Sequence, residues 1–240
     1  MSNQILIYIS ELNPRIEYVF KLIFRDLLNF TNVGYSSNPV DFIKATSEIK
    51  FSYGTFFSQD ILFLAKETNI LFQTDIEAAR PSIIHHDIYP LAFASLDKRS
   101  ILPFDFPAFA FYLTTRYEEY QSFKCDKHLR FPASESLADQ EGFLELPLID
   151  LWGQELYLRM SKYYSEDKLP ARALFSFQPS YDIDYAWAYL NKGWGRSLAA
   201  IAKNVLEGKF KELENRLKVF SGRKNDPYYT FDYLDSLAQE

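Results

Sequence analysis

With one cysteine, Cys125, among 240 residues, the chain cannot close a disulfide on itself. That scarcity fits a reducing compartment. Basic residues are also in deficit, 26 against 32 acidic for a net charge of −6. The two signs are mixed along the chain, which argues against a general nucleic-acid binder. The one basic-leaning stretch, Lys203 to Lys224, also carries Glu207, Glu212 and Glu214 and reads as a solvated helix face. No apolar run approaches the roughly 18 residues of a membrane-spanning helix. The opening MSNQILIYISELNP lacks the basic start, long apolar stretch and small-residue cleavage site of a secretory leader. These absences predict a cytoplasmic protein without a membrane span, and they leave peripheral contact with a membrane open. Glycines placed to admit a phosphate are missing after the first apolar run, which argues against a nucleotide-binding opening.

What the chain does have is bulk. Hydrophobic residues make up 48% and aromatics 18%, with 22 Phe and 17 Tyr, enough for a substantial core. Part of that aromatic content could serve a carbohydrate surface, but packing is the simpler use. Gln4 to Ile9 reads as a strand. Pro14 then opens a helix whose stripe runs Ile16, Val19, Phe20, Ile23, Phe24, Leu27 and Leu28. Val33–Ser36, Ile49–Tyr53, Asp60–Leu64 and Asn69–Phe72 read as further short strands, with Gly54 at a turn. A second helix is expected along Phe109, Tyr112, Leu113, Arg116, Tyr117 and Tyr120, and a third along Leu148, Leu151, Trp152, Leu156 and Met160. Between them, 121–147 is a long connection with little periodicity.

The polar stretch Ser165–Pro170 marks a boundary. Residues 1–167 form an expected N-terminal α/β domain and 168–240 a second unit. That unit opens on ALFSFQPSYDIDYAW, 173–187, read as a buried strand ending in Asp182 and Asp184. Side chains two apart on a strand share a face, so the carboxylates would converge at its C-terminal end, where parallel α/β folds build their sites. Two roles are open to the pair: capping a following turn, or holding a cation or shared proton that relieves their repulsion. Helical stripes follow at Leu198, Ile201, Ala202 and Val205 and at Phe210, Leu213, Leu217 and Phe220. Asp226-Pro227 reads as the start of a last helix through Phe231, Leu234 and Leu237.

Three other groupings carry less chemistry. His85-His86-Asp87 holds metal-ligand residue types, but successive residues cannot aim at one ion and a polar turn fits better. Asp126 and His128 with Ser134 or Ser136 lack a nucleophile elbow and fit a tied-down loop. Arg116 on an apolar stripe calls for a carboxylate partner.

PSYDIDYAWAY resembles the first motif of the NodB-homology, or polysaccharide deacetylase, family. FDFPAFAFYLTTRYEEY (104–120), the stretch 128–152 and DPYYTFDYL resemble regions that accompany such domains in bacterial proteins. The resemblance implies a (β/α)-barrel-like domain, of which 168–240 would be the opening strand and helices. It implies metal-dependent removal of acetyl groups from a carbohydrate or other sugar-containing partner. The family motif is T-F-D-D-G. Asp182 takes the place of its general base, Ile183 that of its metal-binding Asp, and Asp184, at the Gly position, would be the metal ligand instead. The family's later H-x-x-x-H has no counterpart, since His85, His86 and His128 all precede the motif. The expectation is therefore a truncated catalytic domain: a divalent metal ion belongs to a longer protein, and none is expected in this chain. A non-catalytic carbohydrate-binding or protein-interaction module is the alternative.

Overall fold

Asn13 begins the first helix for a simple reason. Its side-chain oxygen accepts the Ile16 N–H at 3.0 Å, and Pro14 follows where no donor is needed. The computed structural model describes residues 4–78, 80–164, 168–172, 174 and 176–238. They fall into two units, 1–173 and 174–240. In the first, the order is β1 (Gln4–Tyr8), α1 (Pro14–Phe20), β2 (Asn32–Ser36), α2 (Pro39–Lys44), β3 (Ile49–Tyr53) and β4 (Leu62–Leu64). A hairpin follows, β5 (Ile83–His85) and β6 (Pro90–Ala92), then α3 (Phe106–Thr114), α4 (Leu137–Gln140) and α5 (Leu148–Tyr163).

The four strands of the main sheet are all parallel, in the order β2-β1-β3-β4. Ile5 pairs with Val33 on one side and Ile49 on the other, and Ile7 with Tyr35 and Phe51. This register gathers Ile5, Ile7, Ile49, Phe51, Tyr53 and Leu64 on one face, where they are buried with Val19, Phe20, Phe24, Phe109, Trp152 and Leu156. Aromatic edges interlock there: Phe24 lies 5.1 Å from Phe51, Phe20 5.4 Å from Tyr53, and Trp152 4.6 Å from Phe104. Leu27 and Leu113, both on the expected helical stripes, pack against this core partly buried. Beyond α1 the helix widens into π-type turns, Lys21–Leu27. Gly153 of α5 lets Leu27 approach, since a Cβ there would sit 3.1 Å from Leu27 Cδ1.

Several expectations are corrected. Asn69–Phe72 is a turn rather than a strand, and the β5–β6 hairpin around His85-His86-Asp87 was not foreseen. The second helix ends at Thr114. Thr114 and Thr115 hydroxyls donate back to the Ala110 and Phe111 carbonyls at 2.7 Å, and Arg116 turns left-handed at φ 52°. Tyr117–Tyr120 is a separate 3₁₀ turn. Of the expected boundary, Ser165, Glu166 and Asp167 lie outside the described residues. Leu169 is buried with the first unit's core, and the Pro170 carbonyl accepts the Tyr157 hydroxyl at 2.9 Å.

The second unit contains α6 (Trp194–Leu206), α7 (Phe210–Phe220) and α8 (Phe231–Leu237). The expected opening strand is not found among the described residues; Ala173 and Phe175 of it fall outside them. The reason is physical. A strand exists by its ladder, and 174–240 offers no partner strand among the described residues, while Leu174 and Phe177 are 91% and 73% exposed. The architecture is therefore mixed α/β, with a four-stranded parallel sheet in the first unit.

Candidate functional site

Asp182 and Asp184 stand on an irregular segment, both exposed, with no hydrogen bond or ion pair among the described residues. The segment is nevertheless anchored on both sides. Ahead of the pair, the Tyr181 hydroxyl donates to the Leu234 carbonyl of α8 at 3.4 Å. Behind it, Trp187 packs 5.7 Å from both Tyr229 and Phe231. The following turn is pinned by Asp226, whose carboxylate accepts the N–H groups of Ala188 and Tyr189 at 2.7 Å, Leu190 at 3.1 Å and Tyr228 at 3.0 Å. Burial of Asp226 opposes its charge, yet the four backbone donors together outweigh it and hold the carboxyl below the usual range. Asp226 thus does not cap α8, which starts after Thr230; it clasps the loop that follows the acid pair. A carboxylate saturated by four donors is structural, and two carboxylates without partners are available to a ligand.

The three histidines sit in the first unit and do not cluster. His85 ends β5, with Nε2 3.7 Å from Glu141. His86 accepts the Ile88 N–H through Nδ1 at 3.3 Å and faces Trp152. His128 donates its backbone N–H to Asp126 at 2.7 Å. Asp126 also receives Arg130, and Ser136 caps α4 through the Asp139 N–H, so the Asp-His-Ser set ties down the long connection. Arg116 pairs with Glu119. Among the described residues no group of three or more His, Cys, Asp or Glu is placed to hold a metal ion. Asp182 and Asp184 alone do not complete the donor set that the family resemblance implies.

The crevice beyond the C-terminal ends of β1 and β3, where sheets of this kind hold ligands, is filled by rings. Tyr8 lies 4.7 Å from Phe57 and 5.5 Å from Phe42. Close by is a group that the sequence reading missed. Asp105 is fully buried, and its carboxylate accepts the Tyr53 hydroxyl at 2.9 and 3.0 Å and the N–H groups of Glu67 at 2.9 Å, Ala108 at 3.2 Å and Thr68 at 3.4 Å. Burial pushes its pKa up to about 7 against those hydrogen bonds, and burial beside Asp105 carries Tyr53 well above the usual phenol value. Its oxygens are occupied by β3, the 67–68 loop and α3, so it joins three segments and has none left for a substrate. A signal was legible: Asp105-Phe106-Pro107 has the cap-then-proline form of a helix start.

An open groove of about 690 Å³ lies along α3, the long connection and the start of α5, lined by Leu113, Arg116, Phe131, Phe143, Leu146 and Ile149 among others.

No curated protein and no solved structure matches the chain. Residues 5–165, two-thirds of the sequence and nearly all of the first unit, match the model of a family described as a family of unknown function (DUF7033), and the chain belongs to that family.

Proposed function

We propose that this chain combines an N-terminal α/β accessory domain with the first catalytic motif of a metal-dependent carbohydrate deacetylase-like enzyme. The observation that supports this most is the contrast among the acids of the second unit. Asp226 is saturated by backbone donors, whereas Asp182 and Asp184 are exposed and unpartnered on a segment held at both sides. Neither acid has a hydrogen bond or ion pair among the described residues, so the oxygens of both are open to a ligand.

In this reading Asp182 takes the proton of a water whose oxygen adds to the acetyl carbonyl carbon. The proton then passes to the departing sugar amine or hydroxyl as the bond to the acetyl group breaks. A divalent metal ion would polarise that carbonyl. Its ligands are incomplete here, because Asp184 has no histidine companions after residue 128. The proposal therefore requires sequence after residue 240 to supply an H-x-x-x-H pair and the remaining strands of a barrel-like domain. Reading the encoding gene past codon 240 tests this at once. Two in-frame histidines at i, i+4 spacing support the reading, and their absence from the continuation overturns it.

A second reading rests on the groove beside Arg116. A non-glycine residue held left-handed is a strained position of the kind found at binding sites. Phe131 could stack on a sugar C–H face while Arg116 and Glu119 take hydroxyls. That arrangement favours a non-catalytic carbohydrate-binding module in the first unit. Calorimetric titration with oligosaccharides, repeated with Phe131→Ala, distinguishes it.

A further inference from the structure

The second unit turns its helices the wrong way round for a protein in water. On α6, Trp194, Leu198 and Val205 share one face at helical spacing, and all three are exposed, Trp194 at 83%. The residue α6 buries is Asn204, on the flank of that stripe. On α7, Phe210, Leu217 and Phe220 lie on one face and are exposed as well, Phe210 at 66%. Two helices that each leave an apolar stripe in water mark an interaction site.

Charge selects the occupant. Between residues 192 and 224 there are nine Lys and Arg against three Glu, a net of +6 in a chain whose total is −6. Glu207 and Glu214 are engaged with Lys203, Lys209 and Lys218. Lys192, Arg196, Lys211 and Arg223 have no ion-pair partner among the described residues, so the positive charge is uncompensated. A second copy of the chain on this face would bring two such charged hairpins together. A nucleic acid would satisfy the charge and leave the apolar stripe in water. A bilayer bearing anionic headgroups satisfies both, since an amphipathic helix with Trp, Leu and Phe on one side and Lys and Arg on the other lies in the headgroup layer. No helix among the described residues is long and apolar enough to cross a membrane.

We propose that the α6–α7 hairpin docks on the surface of a membrane containing anionic lipid, with Trp194, Leu198 and Phe210 inserted among the headgroups. Docking uses neither acid of the catalytic pair, but it requires these faces to stay in water beside any further strands. The vesicle assay is therefore repeated on the chain continued past residue 240, where loss of vesicle binding overturns the proposal.

The test is co-sedimentation of the 240-residue protein with phosphatidylcholine vesicles and with vesicles of phosphatidylcholine and phosphatidylglycerol in equal parts. Binding is expected to the mixed vesicles and to weaken with added salt. Trp194→Ser with Phe210→Ser should lower the partition at least tenfold, the effect of withdrawing two large apolar side chains. Lys211→Gln and Arg223→Gln should each lower it about fivefold. All four positions are exposed, so circular dichroism should be unchanged in every variant. No binding, equal binding to both vesicles, or binding that survives the Trp194 and Phe210 changes overturns the proposal. So does a concentration-dependent dimer in light scattering that the same two changes abolish without any binding to vesicles, since the face would then belong to a second copy.

Discussion

Replacing Asp105 by Asn isolates a single buried charge. In the folded protein burial raises this carboxyl from the ordinary 3.8 to about 7, about three pH units. At roughly 1.4 kcal/mol per unit, the difference in proton affinity between folded and unfolded chain is worth about 4 kcal/mol. The folded state holds the proton more tightly. This contribution is therefore complete below the unfolded pKa, declines as pH rises, and is gone above about pH 7. Between about pH 5 and pH 8 the wild-type protein should lose roughly 2.5 kcal/mol of stability from this group alone. The amide in Asp105→Asn does not titrate, but its nitrogen faces backbone donors at Glu67 and Thr68 that the carboxylate had accepted. Each donor left without a partner costs about 1–3 kcal/mol. The variant should thus be several kcal/mol less stable than wild type near pH 5, with the gap narrowing by about 2.5 kcal/mol by pH 8. Urea titrations followed by Trp152 emission, in a background of Trp187→Phe and Trp194→Phe, report on this unit. Every other carboxylate cancels in the difference. A gap that stays constant or widens with pH would show that Asp105 is ionised throughout, stabilised by its donors rather than penalised by burial.

Other consequences are as concrete. Gly153→Val would drive side-chain carbon into Leu27, already 3.1 Å from where a Cβ would stand, and should cost about 1–3 kcal/mol in urea denaturation. Asp226→Ala removes the acceptor for four backbone N–H groups, so the Ala188, Tyr189 and Leu190 amides should lose hydrogen-exchange protection while β1 and β3 keep theirs. Because its carboxyl is held below the usual range, the wild-type clasp should also loosen as pH falls through that lowered value, and the variant should lack this acid-sensitive step. Calorimetric titration of the 240-residue protein with Zn²⁺ should show no sub-micromolar site. A tight one-to-one site abolished by Asp184→Ala would mean that ligands come from residues other than those considered.

The first unit was legible wherever local pattern and tertiary packing agree. β3 falls on the residues its apolar run picks out, and α1 starts at Pro14, where the sequence opens it. Legibility failed where a single backbone angle or a distant partner decides. Nothing in the alternation of Phe109 to Tyr120 shows that Arg116 would turn left-handed and divide the stripe. The apolar run before Asp182 reads as a strand because composition records what a segment could pair with, not whether a partner is there. Asp226 shows the same limit. Its cap-like context pointed forward to a helix, whereas the donors it meets come mainly from 188–190, far earlier in the chain. Asp182 and Asp184 were singled out by a strand spacing that the described residues do not show, so their ligand-binding role rests on their lack of partners and stays a proposal.

The central claim is that Asp182 is a general base acting on acetylated sugars. Acetate release from an acetylated chitooligosaccharide tests it, using the protein extended through the required histidine pair and loaded with a divalent metal ion. Asp182→Asn exchanges one exposed acid for its amide, so circular dichroism and melting temperature should be unchanged. The account predicts that turnover falls by a factor of about 10²–10⁴. Turnover equal to wild type in a folded Asp182→Asn protein would contradict it.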